Sequence, residues 1–267
     1  MAHAAAQFDR RISILGQLLV VFATECRRLS RAKKTYVLFG VQLIPVLAAL
    51  VYVIFQDIDG LTMFRNIVEH TIFPFLLPLA ALFYGGPAIV EEMEGRTLTY
   101  LTMRPIARPV LFFSKWLAGA TVATLVVIVP ILLLFAVCLS QSADMGATVE
   151  SLGFICISAL IGVITYTAIF ALLGVIFASS LLLGVIYFVI FEMVLATLPV
   201  LELLSVKYYL RTTAGFSATD RLGFLDRLVL EEPLIFDWWF GALVASLIAA
   251  VALGIGAYIF RERQYHV

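Results

Sequence analysis

Long stretches without Asp, Glu, Lys or Arg recur along the chain. Four of them are long enough for one membrane-crossing helix each, and they occupy residues 35–56, 71–90, 116–143 and 238–260. A helix needs about 20 apolar residues to cross a hydrocarbon core about 30 Å thick. These stretches therefore predict four transmembrane helices.

A fifth uncharged stretch, from Ser151 to Phe191, is too long for one crossing. As a single helix it would extend about 60 Å at about 1.5 Å per residue, twice the hydrocarbon thickness. The small residues Ala178, Ser179 and Ser180 divide it, which predicts two helices with a turn between them. Six spans are thus predicted, at about 35–56, 71–90, 114–140, 152–177, 181–204 and 238–260.

The composition agrees with an all-α integral membrane protein. Hydrophobic residues make up 63% of the chain and charged residues 13%, whereas soluble domains carry about a quarter charged residues. We expect one six-helix transmembrane domain over residues 35–260, followed by a short tail at 261–267. The formal net charge is zero, which argues against nucleic acid as a partner.

The distribution of Lys and Arg predicts the orientation of the bundle. Six crossings place both termini on one side, and that side holds seven basic residues before the first span, four after the second and two at the C-terminus, 13 of 18 in total. Basic residues concentrate on the cytoplasmic side. Both termini are therefore predicted to be cytoplasmic. Most acids, among them Asp59, Glu69 and Asp144, fall on the opposite side.

The first 34 residues predict an amphipathic helix that lies along the membrane surface. Apolar side chains recur there at a three-four spacing, which places them on one helical face. They are Ile12, Leu15, Leu19, Phe22, Cys26 and Leu29. The basic residues from Arg27 to Lys34 favour an anionic cytoplasmic leaflet. A signal peptide is the alternative, and we disfavour it because no small-residue cleavage site follows and Glu25 interrupts the apolar run.

Glu192 is the one ionisable residue deep inside a predicted span. An ionised carboxylate near the bilayer midplane costs about 2.5–3.5 kcal/mol, so we expect it to be protonated, hydrogen-bonded or in contact with water. Two roles stay open: Glu192 lies on a substrate path, or it joins helices through Tyr166, Thr165 or Thr167. The external segment 205–237 mixes aromatic and charged residues, which predicts an interfacial or re-entrant structure.

The cytoplasmic segment 91–113, between the second and third spans, has an ordered composition. Acids cluster at its start, Leu98 and Leu101 share one helical face, and Arg104-Pro105 ends that turn. This pattern predicts a short helix that presents a small apolar face to the cytoplasm. The alternative is a solvated loop whose charges only enforce topology. Just before it, Gly85-Gly86-Pro87 predicts a packing notch or a kink.

No arrangement of residues predicts catalysis, metal binding or nucleotide binding. A phosphate-binding loop of the Walker type ends in Gly-Lys. The residues that precede the four lysines are instead Ala32, Lys33, Ser114 and Val206. We therefore expect no enzyme activity, metal site or cofactor in this chain, and if ATP drives it, ATP and Mg²⁺ bind to another subunit.

The segment between the second and third spans resembles the signature of type 2 ABC transporter permeases. The shared features are a group of acids, Gly-x-Thr-Leu at 95–98, Arg-Pro-Ile-x-Arg at 104–108, and Lys115 just inside the next span. Weaker likenesses occur at 25–36, and at 191–193 together with 204–209. The resemblance implies a type 2 ABC exporter fold. We expect Lys115 to extend towards the lipid headgroups.

In this family the same loop is the coupling element that docks on the ATPase subunit. The resemblance implies a docking surface formed by Gly95, Thr97, Leu98, Leu101, Arg104, Pro105 and Arg108. Glu91, Glu92 and Glu94 would pair with basic groups on the ATPase or on the N-terminal helix. The chain would then be the membrane half of an exporter in the cytoplasmic (inner) membrane of a prokaryote, assembled with a separate cytoplasmic ATPase and with a second copy of itself or a similar permease.

Two other classes of protein remain as alternatives. An ATP-independent protein could be a secondary transporter with Glu192 as its proton site, or a membrane scaffold; a secondary transporter usually shows paired repeats with broken helices, which we do not find. A membrane enzyme would need several polar groups at one depth, where only Glu192 is present. The transported substrate does not follow from the fold, because type 2 permeases are associated with drugs, ions, lipids and polysaccharides.

Overall fold

A computed structural model describes residues 14–55, 59–87, 108–177, 179–197, 201–216 and 236–262. These residues are almost entirely helical, and no strand occurs among them. Their helices, in chain order, are α1 Ile14–Ser30, α2 Lys33–Phe55, α3 Gly60–Gly85, α4 Arg108–Leu139, α5 Met145–Ile176, α6 Ser180–Val194, α7 Val206–Thr213 and α8 Trp238–Glu262.

Three of these helices change geometry along their length. α2 consists of Lys33–Gln42 and Ile44–Phe55, joined at Leu43. α3 is Gly60–Ile67, a π-helical part Val68–Leu76 that contains Pro74, and Leu77–Gly85. α6 is Ser180–Tyr187 followed by a π-helical part Phe188–Val194, and two 3-10 turns, Leu195–Thr197 and Leu201–Leu204, come after it. Proline lacks the backbone donor that an α-helix needs, so a wider turn at Pro74 has a local cause.

Among the described residues, five helices are long and apolar enough to cross a membrane: α2, α3, α4, α5 and α8. The fifth predicted span, 181–204, corresponds to α6 and the turns after it. The 8-residue and 7-residue parts of α6 together rise about 22 Å, less than a hydrocarbon core of about 30 Å. A sixth crossing therefore stays a prediction.

Two of the crossing helices begin well before the predicted spans because an aspartate caps each of them. The Asp59 carboxylate accepts a hydrogen bond from the backbone N–H of Thr62, 3.1 Å away. Asp144 accepts from the N–H groups of Gly146 and Ala147 at 2.8 and 3.2 Å. An N-cap of this kind satisfies donors that the first helical turn leaves without a partner. The sequence-based interpretation treated both acids only as charges in external loops.

The core lies around α3 and α5, which are the most buried of the crossing helices, whereas α2 and α8 are the least buried. The largest side chains that are fully buried include Phe64, Phe73 and Tyr84 from α3, and Tyr166 and Phe170 from α5. These rings place the centre of the bundle between the two helices, and α4 packs alongside both.

Glycines bring three helix backbones into contact at the end of the bundle from which segment 88–107 leaves, here called the loop end. A Cβ on Gly119 of α4 would lie 2.7 Å from the carbonyl oxygen of Tyr84, and one on Gly85 would lie 2.8 Å from that of Thr167. A Cβ on Gly174 of α5 would lie 2.9 Å from the carbonyl oxygen of Gly86. The end of α3 is thus packed tightly against α4 and α5, as predicted from Gly85-Gly86-Pro87.

α1 packs on the loop end of the bundle through one face. Phe22, Cys26 and Leu29 contact the main core, and Val21 packs on a smaller cluster that includes Phe112. Leu19, predicted on the same apolar face, is 53% exposed, while Ile12 lies outside the described residues. The helix is therefore present and packs on the bundle through one face. Its position at a membrane surface stays a prediction.

The glycine contacts predict a difference between two alanine substitutions. Gly119→Ala forces a backbone atom to move, so we expect it to destabilise the fold by about 1–3 kcal/mol. Gly153→Ala, in α5, is the matched control because nothing lies within 4 Å of the added Cβ, and alanine is the better helix former by about 1 kcal/mol. Thermal unfolding in detergent micelles measures both, and equal midpoints for the two variants would contradict the packing.

The cap at Asp59 predicts a pH dependence of stability. Hydrogen bonds from the N–H groups of Thr62 and Ala143 lower the pKa of Asp59, so its contribution is complete above the usual carboxyl pKa of about 4 and is lost as pH falls through the lower folded value. Asp59→Asn keeps a capping oxygen without a charge. We expect the unfolding midpoints of the two proteins to converge between pH 5 and pH 2 as the wild-type advantage disappears; a constant difference would exclude the effect.

Candidate functional site

The predicted docking surface falls almost entirely outside the described residues. This applies to Glu91, Glu92, Glu94, Gly95, Thr97, Leu98, Leu101, Arg104 and Pro105. Arg108 begins α4, but its side chain is not among the described ones. What the structure describes is the platform on which the segment is mounted: the end of α3 and the start of α4.

The platform is joined to α1 and α2 by polar contacts. The Tyr84 hydroxyl donates to Thr35 Oγ1 over 2.9 Å, and the Thr35 hydroxyl donates to the Leu29 carbonyl over 2.6 Å. Lys115 Nζ lies 3.4 Å from Glu25 Oε1. Four helices therefore meet within a short distance of the points where segment 88–107 leaves and re-enters the bundle.

The sequence suggested that Lys115 extends to the lipid headgroups. In the structure it instead lies inside the bundle. Its side chain is 3% exposed and forms an ion pair with Glu25, which is 13% exposed and also accepts from Arg28 Nε at 2.8 Å. Removing one partner of a buried ion pair leaves a charge without compensation and is strongly destabilising. Glu25 thus connects α1 to α4 through a contact that resists separation.

A second polar centre surrounds Glu192, which lies in the π-helical part of α6 and is 2% exposed. Its carboxylate accepts hydrogen bonds from the Ser205 hydroxyl at 2.7 Å and from the backbone N–H groups of Val206 and Lys207 at 3.1 and 3.3 Å. Val206 and Lys207 are the first residues of α7. The side chain of one helix therefore caps the start of the next, where the helix dipole favours a negative charge.

Of the three partners predicted for Glu192, the structure brings only one to it. The Tyr166 hydroxyl is buried beside the carboxylate. Among the described residues, no group lies in hydrogen-bonding geometry with this hydroxyl. The Thr165 hydroxyl instead lies 2.8 Å from the Ile161 carbonyl oxygen and 3.1 Å from the Ala245 carbonyl oxygen, and Thr167 Oγ1 accepts from Trp116 Nε1 at 3.2 Å. Those two threonines join α5 to α8 and α4.

α7 is held by further contacts on its other sides. Arg211 forms an ion pair with Glu69 of α3, and the Ser158 hydroxyl of α5 donates to the Leu210 carbonyl at 2.7 Å. A Cβ on Gly241 of α8 would lie 2.5 Å from the Tyr209 carbonyl oxygen. α7 is therefore enclosed by α3, α5, α6 and α8.

The end of α7 is attached to α3 as well. Gly215 has φ +69°, the left-handed conformation that commonly follows a helix. Its carbonyl accepts from Arg65 at 2.8 Å, and the same guanidinium lies 5.5 Å from the centre of the Phe216 ring. Both ends of this short helix are thus fixed by charged side chains of neighbouring helices.

Sequence reasoning found Glu192 because it interrupts an apolar run, but it missed Arg65, Glu69 and Arg211. In the sequence these residues lie outside the predicted spans, in the external segments. A signal was present, since Arg65 and Glu69 are four residues apart and share one face if α3 starts before them. Recognition of Asp59 as an N-cap would have extended the helix and placed both charges on it.

The arrangement around Glu192 predicts a coupling that a double-mutant cycle can measure. Glu192→Ala removes the acceptor of three buried donors, so we expect a loss of about 3 kcal/mol, and Glu192→Gln about 1 kcal/mol because one amide oxygen remains. Combined with Ser205→Ala, Glu192→Ala should show a coupling of roughly 1 kcal/mol in unfolding free energy. Strict additivity would show that the carboxylate and the Ser205 hydroxyl do not interact.

The comparison with known families agrees with this architecture. The chain matches the family model described as "ABC-2 family transporter protein" over residues 8–264, a range that contains every described helix. No curated protein matches the chain. Permeases of this family generally work in a bilayer together with a cytoplasmic ATPase. The resemblance drawn from the residues around Leu98 and Arg104 is thereby confirmed, and the chain belongs to the ABC-2 transporter family as a multi-pass membrane permease.

Proposed function

We propose that the chain is the transmembrane permease subunit of an ABC exporter, driven by a separate ATPase subunit that docks between α3 and α4. The observation that carries this proposal is the family match over residues 8–264. In the proposed assembly, two copies of the permease pair with two ATPases in the cytoplasmic (inner) membrane. Both termini face the cytoplasm, α6 completes a sixth crossing, and α1 lies along the inner surface.

The docking element in this proposal is the part of the predicted segment 91–113 that precedes α4, with Leu98 and Leu101 as its apolar contact. ATP and Mg²⁺ bind on the ATPase, since none of the four lysines follows a glycine as a Walker-type loop requires. Closure of the ATPases would push on the segment. In this proposal ATP is hydrolysed on the partner subunit, and the helices of the permease move in response.

The rigidity of the loop end supports transmission of that movement. Backbone contacts at Gly85 and Gly119 hold α3 against α5 and α4, and the Glu25–Lys115 ion pair adds α1. Packed interiors deform little and transmit displacement. A force applied between Pro87 and Arg108 would therefore move these helices together as one body.

The contacts of Glu192 support a structural role for this residue, in which it holds the start of α7. All three donors come from the start of α7, and the carboxylate is buried among helices. A residue that exchanges protons with a transport pathway would need access to water. We therefore favour a structural role, in which Glu192 sets the position of α7. We disfavour a role as a proton site.

The docking proposal predicts an effect of charge at two leucines. We expect Leu98→Asp combined with Leu101→Asp to reduce the amount of ATPase subunit that co-purifies with the tagged chain by at least about tenfold, because two apolar contacts are replaced by charges. ATP hydrolysis by the complex should no longer be coupled to export.

The matched control for this experiment is Leu98→Ile with Leu101→Ile, which keeps the apolar area and should retain the ATPase. Wild-type recovery and full coupling in the aspartate variant would show that docking does not use this face. Loss of the ATPase in both variants would equally contradict it, since the isoleucine pair preserves the proposed contact.

A further inference from the structure

Helix α6 changes along its length from a regular helix to the π-helical part Phe188–Val194, here called the wide turn. The N–H of its first residue donates to the Gly184 carbonyl, four residues back. The N–H of Leu195 donates to the Ile190 carbonyl, five residues back. In α3 the π-helical part contains Pro74 as a local cause, but residues 188–194 include neither proline nor glycine. Since the local sequence supplies no break, the wide turn depends on what α6 contacts.

The regular part of α6 has a fixed orientation, because Gly184 packs directly against two other helices. A Cβ added to Gly184 would meet Leu82 of α3 and would lie 3.2 Å from the Phe170 ring of α5. One turn earlier Ser180 is 5% exposed, whereas Leu182, on the opposite side of the helix, is 62% exposed. α6 therefore presents the side that carries Ser180 and Gly184 to the bundle.

The wide turn brings Glu192 to this same side. Each residue of a regular α-helix adds about 100° of rotation, so Glu192, eight residues after Gly184, would lie about 80° away from the bundle-facing side. Phe191 would occupy that side instead, within about 20° of Gly184. The extra residue in the wide turn rotates the later residues back by about 100°, and Glu192 is accordingly 2% exposed while Met193 is 41% exposed. The wide turn thus reconciles packing at Gly184 with capping of α7 by Glu192.

Two arrangements of the same helix follow from this geometry. With the wide turn, Glu192 accepts from the Ser205 hydroxyl and from the N–H groups of Val206 and Lys207. If the turn became regular, the residues after it would rotate by about 100° and Phe191 would take the place of Glu192. The carboxylate would then move to the exposed, apolar side of α6, where a charge is unfavourable. The contacts at the start of α7 therefore oppose a return to the regular helix.

We propose that the wide turn of α6 is a register switch. The three hydrogen bonds that Glu192 accepts from the start of α7 keep the turn wide, and their loss returns α6 to a regular helix in which Phe191 faces α7. Only the residues after the turn rotate, since Gly184 keeps its contacts with α3 and α5. The 3-10 turns Leu195–Thr197 and Leu201–Leu204 follow α6 and absorb the shift of one residue. The switch thus releases α7 without unfolding α6.

Spin labels on the exposed side of α6 report its register. The full chain without its ATPase is reconstituted in lipid nanodiscs, with its three cysteines replaced by alanine. One nitroxide is placed at Val194 or at Val185, which are 51% and 42% exposed, and EPR measures its accessibility to oxygen. We expect Glu192→Ala to lower the accessibility at Val194, which moves into the half-buried place of Leu195. The label at Val185 should be unchanged, because it precedes the turn.

The matched control for the label experiment is Glu192→Gln. Its amide oxygen still accepts hydrogen bonds from α7, so the turn should stay wide and the label at Val194 should stay accessible. An unchanged label at Val194 in Glu192→Ala would overturn the proposal, because the turn would then stay wide without the contacts of Glu192. Equal loss of accessibility in the glutamine and alanine variants would also overturn it.

Two single-residue deletions test the register without removing Glu192. Deletion of Val189 takes the extra residue out of the wide turn, so Gly184 and Glu192 face one side of a regular helix. We expect the midpoint of thermal unfolding in detergent to fall by less than about 4 °C. Deletion of Leu182, in the regular part, rotates Ser180 away from the bundle-facing side by about 100°. This second deletion should lower the midpoint much further.

The two deletions are matched, because each removes an exposed apolar side chain from α6: Val189 is 41% exposed and Leu182 is 62% exposed. Equal losses of stability would show that the wide turn contains no extra residue and would be incompatible with a register switch. This result decides the question even if Glu192→Ala unfolds, which a change at Val185 would reveal. Because no arm uses the ATPase, failure here leaves the docking proposal untouched, and the reverse also holds.

Discussion

The carboxylate of Glu192 resolves the main constraint on this fold, which is that polar groups inside an apolar bundle need partners within the protein. Helix α7 begins among other helices, and its first donors would otherwise remain without acceptors. Glu192 supplies those acceptors from α6, while Glu69 pairs with Arg211 on the same short helix. The start of α7 can therefore be enclosed by four helices with its first backbone donors satisfied.

The two ends of the bundle use different physical means to hold their helices together. At the loop end, backbone contacts at Gly85, Gly119 and Gly174 bring helix axes close, and one ion pair attaches α1. Around α7, charged side chains supply contacts on several sides, in addition to one close backbone contact with α8 at Gly241. Close backbone packing leaves little freedom for sliding, whereas ion pairs and caps can exchange partners. In the proposed exporter, the loop end receives the force.

The sequence was a good guide to class and a weaker guide to boundaries. Apolar runs indicated an all-helical membrane protein, and the residues around Leu98 led to the family, because both depend on patterns local in the chain. The start of α3 and the burial of Lys115 were not predicted. The burial of Lys115 depends on Glu25, a partner distant in sequence, whereas the start of α3 depends on the local cap between Asp59 and Thr62, which the sequence analysis did not recognise. Single-sequence patterns report what a segment prefers, not which group will neutralise a charge.

By itself the sequence determined that the chain enters a bilayer, that Glu192 needs a partner inside it, and that no nucleotide-binding loop of the Walker type is present. Those conclusions follow from the cost of placing charge in hydrocarbon and from residue order alone. Only the tertiary structure decided that Glu192 meets the start of α7 and that Glu69 meets Arg211. Hydrogen bonds and ion pairs act over a few ångströms, so their partners are set by how the helices pack.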